Sequence, residues 1–110
     1  MSRDEPGIMV RDNPDASRYE LFVGDELAGL ASYGLSEGAM TIPHTEVQPQ
    51  YEGRGLGARL ARFALDDARE RGLKVVPQCP FIAAYIRRHP EYDDLVASRP
   101  MPGRRPGASA

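Results

Sequence analysis

The first half of the chain alternates between apolar and polar residues with the two-residue period of β-strands. The alternation is clearest from Arg18 to Val23, where Tyr19, Leu21 and Val23 share one face. Three further strands and the turns between the strands complete the pattern: Ile8 to Val10, Leu27 to Leu35 and Ala39 to Val47, with turns at Asn13-Pro14-Asp15, Gly24-Asp25 and Ser36-Glu37-Gly38. Because the connections are short, we expect the strands to pair antiparallel.

Pro43 interrupts the fourth predicted strand. A proline cannot donate a hydrogen bond to a neighbouring strand, so it indicates a β-bulge or a place where two strands separate. Such a separation opens a cleft beside the strand. If the alternation continues through the proline, His44 and Glu46 lie on the same face as Met40 and Ile42.

The second half of the chain changes to the helical period. Apolar residues recur at helical spacing from Leu56 to Ala68, and Gly72 ends this predicted helix. Leu73 to Val76 is a short buried strand, and Cys79-Pro80 begins a second helix with proline in its first turn. His89-Pro90 ends that helix, where the histidine serves as a C-terminal cap. A short element of undefined type follows.

The length and charge of the chain limit the classes of protein to which it can belong. The chain has 110 residues, of which 41% are apolar and 27% charged, as expected for one soluble globular domain. A net charge of -2 argues against a nucleic-acid binder, which would carry a basic surface. No apolar run approaches the roughly 18 residues that span a membrane, and the start lacks the apolar segment of a signal peptide. We therefore expect no membrane partner and a cytoplasmic location.

The cysteine content and the two ends of the chain predict no disulfide, no metal site and no further domain elements. Cys79 is the single cysteine, which excludes an internal disulfide, and two histidines without further cysteines predict no metal site. Residues 1–6 are predicted to be flexible, residues 7–96 to form the domain, and residues 97–110 to be a disordered tail. Arg99, Arg104 and Arg105 in that tail are expected to be solvated, with an anionic partner as the alternative.

Three alternating glycines open directly into the first helix, in the stretch Gln50-Tyr51-Glu52-Gly53-Arg54-Gly55-Leu56-Gly57-Ala58. The first amides of a helix lack intrahelical partners, and the helix dipole adds positive potential, so the pattern indicates a phosphate site. It lacks the Gly-Lys-Ser/Thr of a Walker loop. Gly53, Gly55 and Ala58 satisfy the dinucleotide fingerprint, but no carboxylate follows at the required distance. A plain glycine-rich loop remains the alternative.

Two side chains are candidates for catalysis on chemical grounds. Cys79 precedes Pro80 at a helix N-terminus, where the dipole favours a thiolate nucleophile and an acyl-cysteine intermediate. A small buried residue is the alternative interpretation. His44 lies on the strand beside the predicted cleft, and its usual pKa near 6.5 suits a general base. A structural histidine is the alternative there.

The order of elements, with Glu52-Gly53-Arg54-Gly55-Leu56-Gly57, resembles the GNAT superfamily of acetyl-CoA-dependent N-acetyltransferases. His44-Thr45-Glu46-Val47, Pro77-Gln78-Cys79-Pro80-Phe81 and His89-Pro90-Glu91-Tyr92 look like its small single-domain branch, the YjdJ-type proteins. The resemblance covers about residues 7 to 96. It implies an α/β fold of the α+β type, with a mixed, mostly antiparallel sheet whose fourth and fifth strands splay apart around the cofactor.

The resemblance also assigns binding roles. It implies that backbone groups around Glu46 and Val47 hold the pantetheine arm and the thioester of acetyl-CoA. The diphosphate would lie against the segment from Gly53 through Ala58, which is Gly53, Arg54, Gly55, Leu56, Gly57 and Ala58. Tyr85 occupies the place of a tyrosine that often protonates the sulfur of coenzyme A in this superfamily, a core tyrosine being the alternative. The superfamily motif usually begins with Gln or Arg where this chain has Glu52. Because a carboxylate repels a diphosphate, Glu52 is not expected to be a ligand.

The function implied is acetyl transfer from acetyl-CoA to an amine, either a small molecule or a protein lysine, without a metal. A non-catalytic acyl-CoA-binding or sensing module is the main alternative, because binding a diphosphate requires no proton-transfer residue. A protein that uses the same loop for ATP or NAD is the third interpretation.

Overall fold

The computed structural model describes residues 7–97. The predictions for residues 1–6 and for the tail beyond Ala97, including Arg99, Arg104 and Arg105, lie outside the described residues. The described chain contains five strands and two α-helices: β1 (Ile8–Asn13), β2 (Arg18–Val23), β3 (Glu26–Ser36), β4 (Ala39–Val47), α1 (Leu56–Glu70), β5 (Lys74–Val76) and α2 (Pro80–Arg88). Short 3₁₀ helices cover Pro14–Ala16, Pro49–Tyr51 and Pro90–Leu95.

The strands form one sheet in the order β1-β2-β3-β4-β5. Neighbouring strands are antiparallel except β4 and β5, which are parallel because α1 crosses between them. Gly24 in the β2–β3 turn has a φ of 62°, as a two-residue hairpin turn requires. This arrangement confirms the predicted mixed, mostly antiparallel sheet.

Pro43 marks both a bulge and the point where β4 and β5 separate. Ser32 pairs with His44 and Gly34 with Thr41, so the single residue between them in β3 faces two residues of β4. The pairing with β5 covers only Ala39 to Thr41 in β4. Past this point the two strands splay, as the proline predicted.

The bulge also changes which side chains share a face. Met40 and Ile42 are fully buried before it, and Thr45 and Val47 are half-buried after it. His44 and Glu46 are exposed instead of following Met40 and Ile42. The alternation therefore does not continue through Pro43, because the extra residue of a bulge shifts the parity of the strand by one.

Helix α1 packs its apolar stripe on one face of the sheet. Leu60, Ala64 and Leu65 are fully buried there, in the same core cluster as Tyr19 and Leu21 of β2. Gly72, with a φ of 70°, follows the helix and ends it as predicted. No helix in residues 7–97 has the length and apolar character to cross a membrane.

Glu20 is a buried carboxylate on the other face of the sheet, with 3% of its surface exposed. Its oxygens accept hydrogen bonds from Arg11 at 3.0 Å, Arg18 at 2.8 Å and Asn13 at 3.0 Å. Burial alone would raise the pKa of Glu20, but these donors outweigh burial and hold the pKa below its usual value.

The lowered pKa makes stability depend on pH in a defined direction. An ionised Glu20 stabilises the fold above about pH 4.3, and this contribution is lost as pH falls through that value toward the folded pKa. We expect Glu20→Gln to lower the free energy of unfolding by about 1–3 kcal/mol at pH 7. The deficit should shrink near pH 3 in denaturant titrations, while the exposed control Glu70→Gln should stay within about 0.5 kcal/mol of wild type. An equal deficit at both pH values would contradict this role.

Candidate functional site

A cavity lies where β4 and β5 have separated. It has a volume of about 510 Å³, within the range of small-molecule sites. It is lined by the end of β4, by residues 52–55 before α1 (the glycine loop), by the start of α1 and by one face of α2. The lining residues are Thr45, Glu46, Val47, Tyr51, Glu52, Gly53, Gly55, Leu56, Gly57, Ala58, Phe81, Tyr85, Arg88 and His89. The cleft predicted from Pro43 and the loop predicted from the glycines thus belong to one cavity.

The glycine loop leads into the first turn of α1, whose unpaired backbone amides lie at this cavity. Gly53 and Gly55 have φ angles of 84° and 77°, and Gly55 caps the helix without a side-chain hydrogen bond. The first hydrogen bond of the helix joins the Arg59 amide to the Gly55 oxygen at 3.2 Å. The amides of Leu56 and Gly57 precede that bond and have no partner inside the helix, which leaves them available to an anion.

Gly57 needs to be glycine for a different reason. It lies inside α1 and is not among the residues with positive φ. A Cβ at Gly57 would lie 2.9 Å from Cζ and 3.3 Å from Cε2 of Phe81. Phe81 itself is 40% exposed and lines the cavity. The missing side chain therefore lets the start of α1 approach α2 closely.

Tyr85 and His89 form a second wall of the cavity. Their rings stack with centroids 3.9 Å apart and an interplanar angle of 16°. Nδ1 of His89 lies 2.8 Å from the backbone oxygen of Tyr85, which confirms the predicted cap of α2. Burial raises the pKa of Tyr85 above its usual value, with Arg62 acting in the opposite direction. Tyr85 therefore keeps its proton near neutral pH, as a proton donor must.

Cys79 is the N-cap residue of α2 and is 5% exposed. Burial raises the pKa of its thiol, but the backbone amides of Ile82 and Phe81 and the nearby Thr45 hydroxyl more than offset this, so the net pKa is lowered. Thr45 lies beside the thiol, yet its buried hydroxyl has no aligned hydrogen-bond partner among the described residues. Cys79 is not in the cavity lining, whereas Thr45 and Phe81 are.

His44 lies on the open face of the sheet, outside the cavity lining. Its Nε2 is 2.9 Å from Oε1 of Glu46, and the two side chains are 58% and 55% exposed. The bulge at Pro43 explains this position, since it turns His44 away from the helices. The predicted role of His44 as a base stays a prediction, and an amine would have to meet it on the open face.

The remaining predicted residues fall in two groups. Glu46, Val47, Leu56 and Ala58 line the cavity with the glycines, as does Glu52. Arg54 does not line it; its guanidinium carbon is 5.2 Å from the ring centroid of Tyr51.

Sequence reasoning missed six lining residues as site members: Thr45, Tyr51, Glu52, Phe81, Arg88 and His89. A signal existed for the three in α2 and at its C-cap. Phe81, Tyr85, Arg88 and His89 follow the spacing of one helix face, which is the face that meets the cavity.

Comparison with known proteins identifies the family. The family model described as GCN5-related N-acetyl-transferase matches residues 18–95. Human protein NATD1 is 41% identical over 91 residues, covering 78% of this chain and 80% of that protein. These matches do not test the YjdJ-type branch, which stays an expectation.

Two solved structures share the fold. A Staphylococcus aureus protein described as GCN5-like superposes with a TM-score of 0.65 at 19% identity, covering 94% of this chain and 98% of that one. A Brucella melitensis GNAT family acetyltransferase, solved in complex with acetyl-CoA, has a TM-score of 0.51 at 20% identity, covering 68% of this chain and 53% of that one. The chain belongs to the GCN5-related N-acetyltransferase family.

Proposed function

We propose that this protein is an acetyl-CoA-dependent N-acetyltransferase that acts on an amine. One observation carries the proposal: the free amides at the start of α1 and the protonated Tyr85 of α2 line the same cavity. The amides can bind the diphosphate of coenzyme A, and the phenol of Tyr85 can donate a proton to its sulfur. Family membership and the acetyl-CoA complex of the Brucella melitensis protein support the choice of cofactor.

The cavity walls suggest how the cofactor would bind. The backbone of Gly53 through Ala58 would hold the diphosphate, and backbone groups of Glu46 and Val47 would hold the pantetheine arm and the thioester. Glu52 lines the same cavity and has to turn outward, because its carboxylate repels the diphosphate. Arg54, lying over the Tyr51 ring, would contribute positive potential from outside the lining.

Cys79 and Tyr85 suggest a two-step transfer. Cys79 is 5% exposed and outside the cavity lining, so this route requires its thiol to become accessible from the cavity. Its thiolate would then attack the thioester carbonyl, and the departing sulfur of coenzyme A would take the phenolic proton of Tyr85. The amine would then attack the acetyl-cysteine and expel the Cys79 thiolate, and the proton lost by its nitrogen would restore the phenol of Tyr85. Direct attack of the amine on acetyl-CoA is the alternative route and would use Tyr85 in the same way.

The acceptor would reach the site from the open face of the sheet. There His44 and Glu46 form a hydrogen-bonded pair that could attract an amine and remove its proton. Both a small amine and a protein lysine are acceptors in this proposal.

An acceptor screen tests this function. We expect acetyl-CoA and a panel of small amines and lysine peptides to release free thiol, measured with a thiol reagent, for at least one acceptor. Binding of acetyl-CoA without turnover on any acceptor would favour the non-catalytic module. A thermal midpoint raised by NAD or ATP, but not by coenzyme A, would contradict the proposed cofactor.

Replacing the proposed proton donor should lower turnover without weakening binding. We expect Tyr85→Phe to reduce kcat by about 10²-fold, the typical contribution of a general acid, with little change in KM for acetyl-CoA. The phenyl ring preserves the stack on His89, so the loss isolates the hydroxyl group. The control Tyr92→Phe removes a hydroxyl that donates to Asp66 at 2.6 Å and is not part of the cavity lining. Equal kcat values for Tyr85→Phe and wild type would assign Tyr85 to packing alone.

A further inference from the structure

A groove where β3 begins and β4 ends adjoins the cavity proposed for acetyl-CoA. It has a volume of about 370 Å³, enough for a small molecule. Its lining residues come from the two strands and from the segment after β4: Leu27, Gly29, Leu30, Glu46, Val47, Gln48 and Pro49. Glu46 and Val47 also line the cavity, so the end of β4 is the wall that the two spaces share.

The groove opens on the face of the sheet that the helices do not cover. Leu30 of β3 pairs with Glu46 of β4, and residues paired directly across two strands project from the same face. His44, the hydrogen-bond partner of Glu46, lies on that open face as well. Leu27 and Leu30 are half-buried, yet neither belongs to the hydrophobic core of residues 7–97 or packs against it. The two leucines therefore offer apolar surface to a ligand.

Glu46 gives the groove its charge. Of the described residues that line the groove, Glu46 alone is charged. Its side chain is 55% exposed, and Oε1 lies 2.9 Å from Nε2 of His44, which leaves Oε2 without a partner among residues 7–97. A carboxylate beside apolar side chains favours a ligand that joins a cationic group to an apolar body.

Polar backbone groups around the groove are already engaged within the protein. Gly29 pairs with Val47 in the sheet, and the Gln48 backbone amide donates to the Ala28 oxygen at 2.8 Å. The side-chain amide of Gln48 donates to the Leu27 oxygen. A peptide in the groove would give up water around its own amides and carbonyls for few new partners. A compact amine with an apolar body avoids that cost, so the groove favours a small amine over a lysine within a peptide.

We infer that the groove binds the apolar body of the acceptor while Glu46 holds its ammonium group, so the acceptor is a small apolar amine. This inference rests on the proposed function and selects one class of acceptor for it. The pairing of β4 with β5 ends at Thr41, so the edge of β4 near Glu46 is open toward the cavity. Only the width of one strand, about 5 Å, separates the groove from the place proposed for the thioester.

An NMR titration with phenethylamine in the presence of coenzyme A tests the site without requiring turnover. We expect amide shift changes in residues 27–30 and 46–48. 2-Phenylethanol lacks the amine and ethylamine lacks the ring, so each should bind at least about tenfold more weakly than phenethylamine. Equal affinity for phenethylamine and 2-phenylethanol, or shift changes that leave both segments unaffected, would overturn the assignment.

Turnover assays test whether the groove selects the acceptor. We expect wild type with acetyl-CoA to acetylate phenethylamine with a kcat/KM at least about tenfold above that for a lysine peptide. Leu30→Gln should raise KM for phenethylamine at least about tenfold and leave the Kd of acetyl-CoA unchanged. Leu35→Gln is the matched control, since Leu35 is 53% exposed on the same strand and does not line the groove.

The outcomes separate this inference from the proposed function. More efficient acetylation of the lysine peptide than of phenethylamine would overturn the choice of acceptor and leave acetyl transfer intact. Equal KM values for Leu30→Gln and Leu35→Gln would show that the groove does not hold the acceptor. Shift changes in the groove with phenethylamine, but no acetylation of any amine, would contradict the proposed function and support the groove as an amine site.

Discussion

Gly57→Ala is expected to weaken acetyl-CoA binding at least about tenfold while leaving the protein folded. The new methyl group would lie 2.9 Å from Cζ of Phe81, closer than carbon atoms approach in folded proteins. Either the Phe81 ring rotates further into the cavity, or the start of α1 moves away from α2. The first response changes the cavity wall beside the amides, and the second displaces the amides that the diphosphate needs. Alanine inside a helix is itself favourable by up to about 1 kcal/mol, so a large loss of stability is not expected.

A double substitution separates this steric cause from a general requirement for glycine. If the clash is responsible, Phe81→Ala in the Gly57→Ala background should restore much of the affinity, giving a coupling energy of about 1 kcal/mol or more in a double-mutant cycle. Calorimetry with acetyl-CoA measures all four proteins. Unchanged affinity in Gly57→Ala would mean that the contact with Phe81 does not shape the binding site.

Cys79→Ala is expected to reduce turnover by at least about 10³-fold, as loss of a covalent nucleophile does in other enzymes. Wild type incubated with acetyl-CoA in the absence of an acceptor should gain one acetyl group in intact-mass spectrometry. The variant should gain none. The physical reason is the lowered pKa of the thiol, which the amides of Ile82 and Phe81 produce at the start of α2.

Cys79→Ser provides the matched control for packing. A serine hydroxyl fills nearly the same space and can accept the same backbone hydrogen bonds, but it is not ionised near neutral pH. We expect near-normal binding of acetyl-CoA in this variant together with lost acetylation of residue 79. Turnover of Cys79→Ala within about tenfold of wild type would instead support direct attack by the amine.

Local signals in the sequence predicted much of the fold. Alternation and turn residues predicted the first four strands, and the glycines predicted the start of α1. Pro43 predicted the bulge and the separation of β4 from β5, because the missing amide acts at the proline itself. The position of His44 was not predictable in the same way. It depends on how the bulge pairs with β3, which reverses the parity of every later residue in the strand.

The composition of the site depended more on contacts between distant segments. The alternation of glycines did not predict that Gly57 makes room for Phe81 of α2. Arg88 and His89 became site residues only when α2 packed beside the glycine loop. Their spacing places them on one helix face with Phe81 and Tyr85, but the packing of α1 against α2 decides that this face meets the cavity.

The most direct test of the central claim is an NMR titration of isotope-labelled protein with acetyl-CoA, which a chain of 12.1 kDa permits. The claim is that the separated strands and the start of α1 hold the cofactor. We expect the largest amide shift changes in residues 53–58 and 45–47, with smaller changes along the cavity face of α2. Saturation with no change in these segments, or changes confined to the groove lined by Leu27, Leu30 and Pro49, would contradict the account.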